Sequence, residues 1–180
     1  MGINEEVEVI KLTDKYFKEM LNVFKNTLPK AFKDSEGIVY DDVLENEILS
    51  KKNLMEAALN ETRNKVIFFI AKYNENIIGA ISYGECSDAI KVGSNNELAH
   101  LGELGSLFIL PEYQNKGVGT KLINTVIEYL KLNGINEFCL DSGYKQAQKK
   151  WIKKFGTPYK IVKDYWGEGV DNFIWICKVN

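Results

Sequence analysis

Apolar positions change their period several times along the chain, and each change predicts a change of element. Val7, Val9 and Leu12 suggest a strand over Val7–Leu12. Thr13 and Asp14 supply capping chemistry for a following helix. Its buried face would carry Tyr16, Phe17, Met20, Leu21, Phe24 and Leu28, with Pro29 closing it. Asp41–Asn60 reads as a second helical region with Val43, Leu44, Ile48, Leu54 and Leu59 inward, broken near Ser50 where the period falters. Val66–Tyr73 and Ile77–Tyr83 are dense in β-branched and aromatic residues, and Asn74-Glu75-Asn76 between them is hairpin material. A polar loop is expected from Gly84 to about Asn96, then a strand over Leu98–Leu110.

The second half is more regular. Gly119–Leu132 is an amphipathic helix burying Leu122, Ile123, Val126, Ile127 and Leu130, with Gly134 where a C-terminal cap belongs. Phe138–Asp141 is a short strand, and Asp141 or Ser142 is placed to cap a helix whose apolar side is Tyr144, Ala147, Trp151, Ile152 and Phe155. Gly156 and Pro158 stop that helix, and strands near Tyr159–Tyr165 and Asn172–Val179 complete the order β α α β β β α β α β β. No repeat, low-complexity tract or linker interrupts it. Residues 1–180 are therefore expected to form one mixed α/β domain, a length that supports one sizeable core.

Composition removes several function classes. A net charge of −2, with no run of Lys and Arg, gives no electrostatic reason to expect a nucleic-acid partner. No apolar run reaches about 18 residues, so no membrane helix is expected. Cys86, Cys139 and Cys177 form no CxxC pair, and the single histidine, His100, leaves little material for a metal site. Sparse free thiols fit a reducing cytoplasm. A homodimer is compatible with all of this, and nothing in the pattern selects it.

The chemistry is concentrated in one stretch, Glu103-Leu-Gly-Ser-Leu-Phe-Ile-Leu-Pro-Glu-Tyr-Gln-Asn-Lys-Gly-Val-Gly-Thr120. A strand running through a turn into a helix presents unpaired N–H groups and the positive end of the helix dipole, where an anion is stabilised. Gly117 and Gly119 would let a pyrophosphate approach the backbone. Gln114, Asn115, Lys116, Val118 and Thr120 complete the turn, and Gln114, Lys116 and Thr120 could add side-chain donors. A GxG by itself is as consistent with a tight turn. It is not a P-loop, because no Lys-Ser or Lys-Thr follows Gly119, and it is not a dinucleotide fingerprint, because Leu122 replaces the third small residue.

A hydrophobic strand, Pro-Glu-Tyr-Gln-Asn-Lys-Gly-Val-Gly and an amphipathic helix together resemble the acetyl-CoA-binding motif of the GCN5-related N-acetyltransferase (GNAT) superfamily. Its pattern Gln/Arg-x-x-Gly-x-Gly/Ala is met at Gln114, Gly117 and Gly119. The close match covers about Leu101–Leu132, and the order of elements agrees from Val7 onward. The resemblance implies a mixed, mostly antiparallel twisted sheet with helices on both faces, its fourth strand bulged and splayed from the fifth. It implies acetyl-CoA as cosubstrate, with Leu107, Phe108 and Ile109 offering backbone groups to the pantetheine arm and an N–H near Phe108 or Ile109 facing the thioester oxygen. Gly105 and Ser106 suit the bulge.

Transfer to an amine of lysine-like pKa, about 10.4, needs a base, because such an amine is mostly protonated at neutral pH. Glu103 lies 14 residues before Gly117, the spacing at which histone acetyltransferases of the superfamily carry a catalytic glutamate. A solvated or ion-paired glutamate is the plainer reading of the same residue. For the acid, the family's Asn-x-x-Ala-x-x-x-Tyr-x-Lys-x-Gly is met at Ala147 and Lys154-Phe155-Gly156. Tyr144 occupies the Asn place, and Trp151 or Ile152 stands near the Tyr place. Tyr144 becomes the candidate acid, with water as the alternative, while Cys139 and Cys177 read as buried strand residues. Family acceptors meet the regions holding Glu36, Asp41, Asp42, Glu45 and Glu47, and then Asp164–Gly169. Carboxylates and aromatics there suit a cationic small-molecule or peptide amine. The competing expectation is an acetyl-CoA-binding regulatory module without turnover.

Overall fold

The computed structural model describes residues 3–36, 40–60 and 66–179. Among these, β1 (Glu8–Lys11), β2 (Ile67–Tyr73), β3 (Asn76–Glu85), β4 (Gly102–Ile109), β5 (Glu137–Ser142), β6 (Lys160–Val162) and β7 (Asn172–Lys178) form one sheet in the order β1-β2-β3-β4-β5-β7-β6. Every neighbouring pair is antiparallel except β4 with β5. The β2–β3 hairpin turns at Asn74 and Glu75, both left-handed at φ 46° and 64°, as a two-residue turn matched to strand twist requires.

The described α-helices are α1 (Ile3–Glu6), α2 (Phe17–Glu36), α3 (Asp41–Leu59), α4 (Asp88–Gly93), α5 (Val118–Leu132) and α6 (Lys145–Phe155), with short 3-10 turns at Asp14–Tyr16 and Pro111–Tyr113. Leu122, Val126 and Leu130 of α5 and Trp151 of α6 pack with Ile78, Leu104, Phe138, Leu140 and Trp175 on one face. Met20, Phe24 and Leu28 of α2 and Met55 of α3 pack with Phe68, Ile70 and Ala80 on the other. Both faces of the sheet are therefore covered, as expected. Ile90 of α4 joins Cys86, Cys139 and Ile174 in a smaller cluster on the α2–α3 side.

Three expectations are corrected. Pro29 does not close α2, which runs on to Glu36. The apolar stripe resumes beyond it, with Leu28 and Phe32 buried and the Phe32 ring edge-on to Tyr144 at 5.7 Å. That burial offsets the one helical bond a proline removes. Nor does α3 break at Ser50, where the ion pairs Glu47–Lys51 (2.9 Å) and Lys52–Glu56 (3.1 Å) bridge the imperfect stretch. The expected loop from Gly84 to Asn96 contains α4, and β4 begins at Gly102 after turns rather than at Leu98. The α5 terminus is as predicted: Gly134 has φ 70°, and Gly134 N–H and Ile135 N–H bond back to Lys131 and Leu130 carbonyls.

Gly102 opens β4 opposite Glu85, and a Cβ there would overlap the buried Tyr83 ring. Gly102→Ala is expected to lower stability by about 1–3 kcal/mol, as overpacking of a core does. Urea unfolding reads this directly.

Candidate active site

Strands β4 and β5 pair at only two positions, Gly102↔Phe138 and Glu103↔Cys139. Beyond Glu103 the strands separate, and the edge of β4 facing β5 is left without a ladder partner. A bulge sits in the separated part. Ala80 pairs Phe108 and Ser82 pairs Gly105, so β4 carries one residue more than β3 over the same span. Ser106 holds a left-handed φ of 51° there. The inserted residue keeps Glu103, Gly105 and Phe108 on the α2–α3 face, while Leu104, Leu107 and Ile109 pack toward α5. Leu110 N–H donates to the Ile78 carbonyl, so by strand alternation the peptide groups of Ile109 turn from β3 toward the gap.

Glu103 stands at the closed end of the separation. Its Oε2 accepts the Ser87 N–H at 2.6 Å, just before α4, and a Cβ on Gly105 would come within 3.3 Å of Oε1. Burial pushes its pKa from 4.5 up to about 7, helped by the negative charge of Asp141 and opposed by the Ser87 bond and by Lys51. Asp141 lies two residues beyond Cys139 on β5 and so points to the same face. Its Oδ2 accepts from Asn172 Nδ2 at 2.7 Å, and burial also raises its pKa. Asn172 is fully buried, and its Oδ1 and the buried Ser87 Oγ have no hydrogen-bond partner among the described residues. Cys86 and Cys139 meet at 3.6 Å beneath Glu103, their thiols held neutral by burial.

The raised Glu103 pKa has a consequence for stability. Between pH 4.5 and about 7 the folded protein holds a proton at Glu103 that the unfolded chain has released. Stability from this group therefore falls as pH rises through that window and is flat above it. Asp141 acts in the same direction. Glu103→Gln is expected to reduce the slope of melting temperature against pH in that window; an unchanged slope would contradict the assignment.

On the far side of the gap, Tyr144 leads into α6, and its ring lies 6.2 Å from that of Phe108. The Ser142 hydroxyl accepts the Tyr144 N–H at 3.1 Å in the turn before α6, but the N-cap is Tyr144 and no side chain caps it, so neither Asp141 nor Ser142 is the expected cap. Trp151 packs inward against Phe155 at 5.7 Å and Ile152 is exposed, so neither supplies a polar group to the gap.

The α5 end carries the glycine turn. Asn115 and Gly117 are left-handed at φ 58° and 86°, and Gly117 is the N-cap of α5. No side chain caps this terminus, and Gly117 and Thr120 are exposed while Val118 is buried. A Cβ on Gly119 would press on Ile109 Cδ1 at 3.1 Å. Gln114 donates its amide to the Ile109 carbonyl at 2.9 Å, and Lys116 Nζ lies 5.8 Å from the Tyr113 ring centre. The turn is thus tied to the open strand edge, and the first N–H groups of a helix have no intrahelical acceptor.

Glu103, Leu107, Phe108, Ile109 and Tyr144 are gathered along the separation, with Gln114 to Thr120 at its α5 end. His100 is exposed in the turn before β4. Of the expected acidic residues, Glu47 lies near enough for its charge to act on Asp141; the side chain of Glu36 is outside the described residues. Trp166 lies over Gly143, where a Cβ would come within 2.6 Å of the indole. Sequence reasoning missed Ser87, Lys51 and Asn172, and saw Asp141 only as a cap. The available signal for Asp141 was its same-face spacing from Cys139, but the β4–β5 register that makes it useful is not written in either strand.

The sequence pattern of the Acetyltransferase (GNAT) family matches residues 20–156. An uncharacterized N-acetyltransferase of Chlorobaculum tepidum is 34% identical over 101 residues, 54% of this chain and 58% of that protein. Another, from Methanocaldococcus jannaschii, is 33% identical over 100 residues, 55% of this chain and 42% of its own. The chain thus spans about half the length of these curated relatives. The PaiA N-acetyltransferase of Thermoplasma acidophilum, solved in complex with coenzyme A, superposes with a TM-score of 0.69 at 20% identity, covering 96% of this chain and 98% of that one. With a family match across most of its length and the same fold in a solved member, this chain belongs to the GNAT family of acetyltransferases.

Proposed function

We propose that the chain, as one domain over residues 1–180, transfers an acetyl group from acetyl-CoA to a primary amine by direct transfer in a ternary complex. The observation that carries this is the separation of β4 from β5 just beyond Glu103, with a raised-pKa carboxylate at its closed end. Such a gap accepts an extended chain as an added strand. Ile109, and Leu107 beyond Phe108, would bond the pantetheine amides, and the first-turn N–H groups at Val118–Thr120 would hold the pyrophosphate. The coenzyme A bound by the Thermoplasma acidophilum protein supports that fit. Acetyl-CoA supplies the acyl group as a thioester.

Glu103 takes the proton of the incoming ammonium, for which a pKa of about 7 is better matched than an ordinary carboxylate. A β4 N–H in the bulged segment steadies the thioester oxygen. Tyr144, across the gap from Phe108, returns a proton to the departing thiolate. The buried thiols of Cys139 and Cys177 are held neutral, the latter pushed up to about 12, which disfavours an acyl-cysteine route. Initial rates over both substrates test the mechanism: intersecting double-reciprocal lines are expected, and parallel lines would overturn direct transfer. A regulatory module would instead show acetyl-CoA binding with no turnover on any amine.

A further inference from the structure

We propose that the acceptor is a short alkyl diamine taken up as a dication, its reacting amine beside Glu103 and its second ammonium held by Asp141 and Asn172 Oδ1. This rests on the transfer reading above and adds the substrate class.

Lys51 acts on both Glu103 and Asp141, and its own partner lies outside the pair: it bonds Glu47 at 2.9 Å. Among the described residues, Glu103 and Asp141 have no ion-pair partner. They stand on the two arms of the separation, on one face of the sheet. With both carboxylates ionised, a monocation balances one of them, whereas a dication matches both.

Asn172 gives its Nδ2 to Asp141 Oδ2, and this bond fixes which way the amide faces. Its Oδ1 is then a buried acceptor without a partner among the described residues, beside a carboxylate that has more lone pairs to offer. A primary ammonium, with three N–H donors, satisfies Asn172 Oδ1 and Asp141 together. A quaternary or aryl amine does not. Aromatic side chains flank Asp141. Tyr165 lies close enough to Asp141 to feel its charge, and Trp166, edge-on to Tyr165 at 4.7 Å, covers Gly143 where β5 ends. A peptide N-terminus brings one positive charge and polar amides, and this pair of carboxylates has no matching donors for them.

The test compares 1,4-diaminobutane and 1,3-diaminopropane with butylamine as acceptors at saturating acetyl-CoA. The better diamine is expected to exceed butylamine in kcat/KM by about 30-fold, as a partly desolvated charge pair confers. In Asp141→Asn that ratio is expected to fall toward one, through a rise in diamine KM. A ratio near one in the wild-type protein, or an equal loss on all three amines in the variant, overturns the proposal. Calorimetry on the full wild-type chain decides the same question without turnover and without the variant. The diamine is expected to bind at least about tenfold tighter than butylamine, and equal binding overturns the proposal. Diamine binding with no acetylation of any amine would keep this site and overturn the transfer reading instead.

Discussion

Replacing Glu103 by Gln is expected to lower kcat/KM for the amine by about 10²–10⁴-fold at pH 7, the usual contribution of a positioned general base. Glutamine keeps the size and can still accept the Ser87 N–H, so the fold around α4 is preserved while the proton acceptor is lost. The wild-type protein is expected to lose activity below about pH 7 as Glu103 becomes protonated, on top of the decline set by the amine's own ionisation. The variant should lack the Glu103 limb and retain its affinity for acetyl-CoA. If the pH profile and the rate are unchanged, the base is elsewhere. If acetyl-CoA binding falls as well, Glu103 holds the architecture of the gap and the rate loss says nothing about proton transfer.

Gly117→Val is expected to raise the KM for acetyl-CoA about 10- to 100-fold with little change in kcat, a loss confined to binding that is equal in ground and transition states. Gly117 caps α5 at φ 86°, a region costing a β-branched residue roughly 1–2 kcal/mol. Its new side chain would also stand over the N–H groups of the first turn, where the pyrophosphate is proposed to sit. Gly117 is exposed, so the strain is local and the melting temperature should move by only a few degrees. Isothermal titration with CoA separates the two effects: weaker binding by a folded variant is expected, and unchanged binding would remove the turn from the site.

Local periodicity made α5, its Gly134 terminus and the β2–β3 hairpin legible, because each is specified by residues close in sequence. The bulge was implied by the family resemblance, and Gly105 and Ser106 were its expected place because a glycine tolerates the distorted backbone. Pro29 misled because a local rule was outweighed by burial of Phe32 against Tyr144, a partner 112 positions away. Helix α4 was hidden in a polar stretch that buries Ile90 and Gly93, too short to show a period.

The candidate site divides along the same line. Glu103 and Gln114 to Thr120 lie on one contiguous strand–turn–helix and were visible together. Ser87, Asp141 and Lys51 come from three other segments and reach Glu103, and Asn172 reaches Asp141, only through strand register and helix docking. Residue type alone does not report such meetings. The acidic stretches were noticed as possible acceptor contacts, but which of them reach the gap was a tertiary fact, with Glu47 now placed within range of Asp141.

The most direct measurement incubates the protein with isotopically labelled acetyl-CoA and a panel of primary amines and follows free CoA and acetylated amine together. Label appearing on the amine nitrogen in one-to-one proportion with released CoA, and none remaining on the protein, is the expected result. Acetyl-CoA bound but uncleaved across the whole panel, or label retained on the protein, would contradict direct acetyl transfer by this chain.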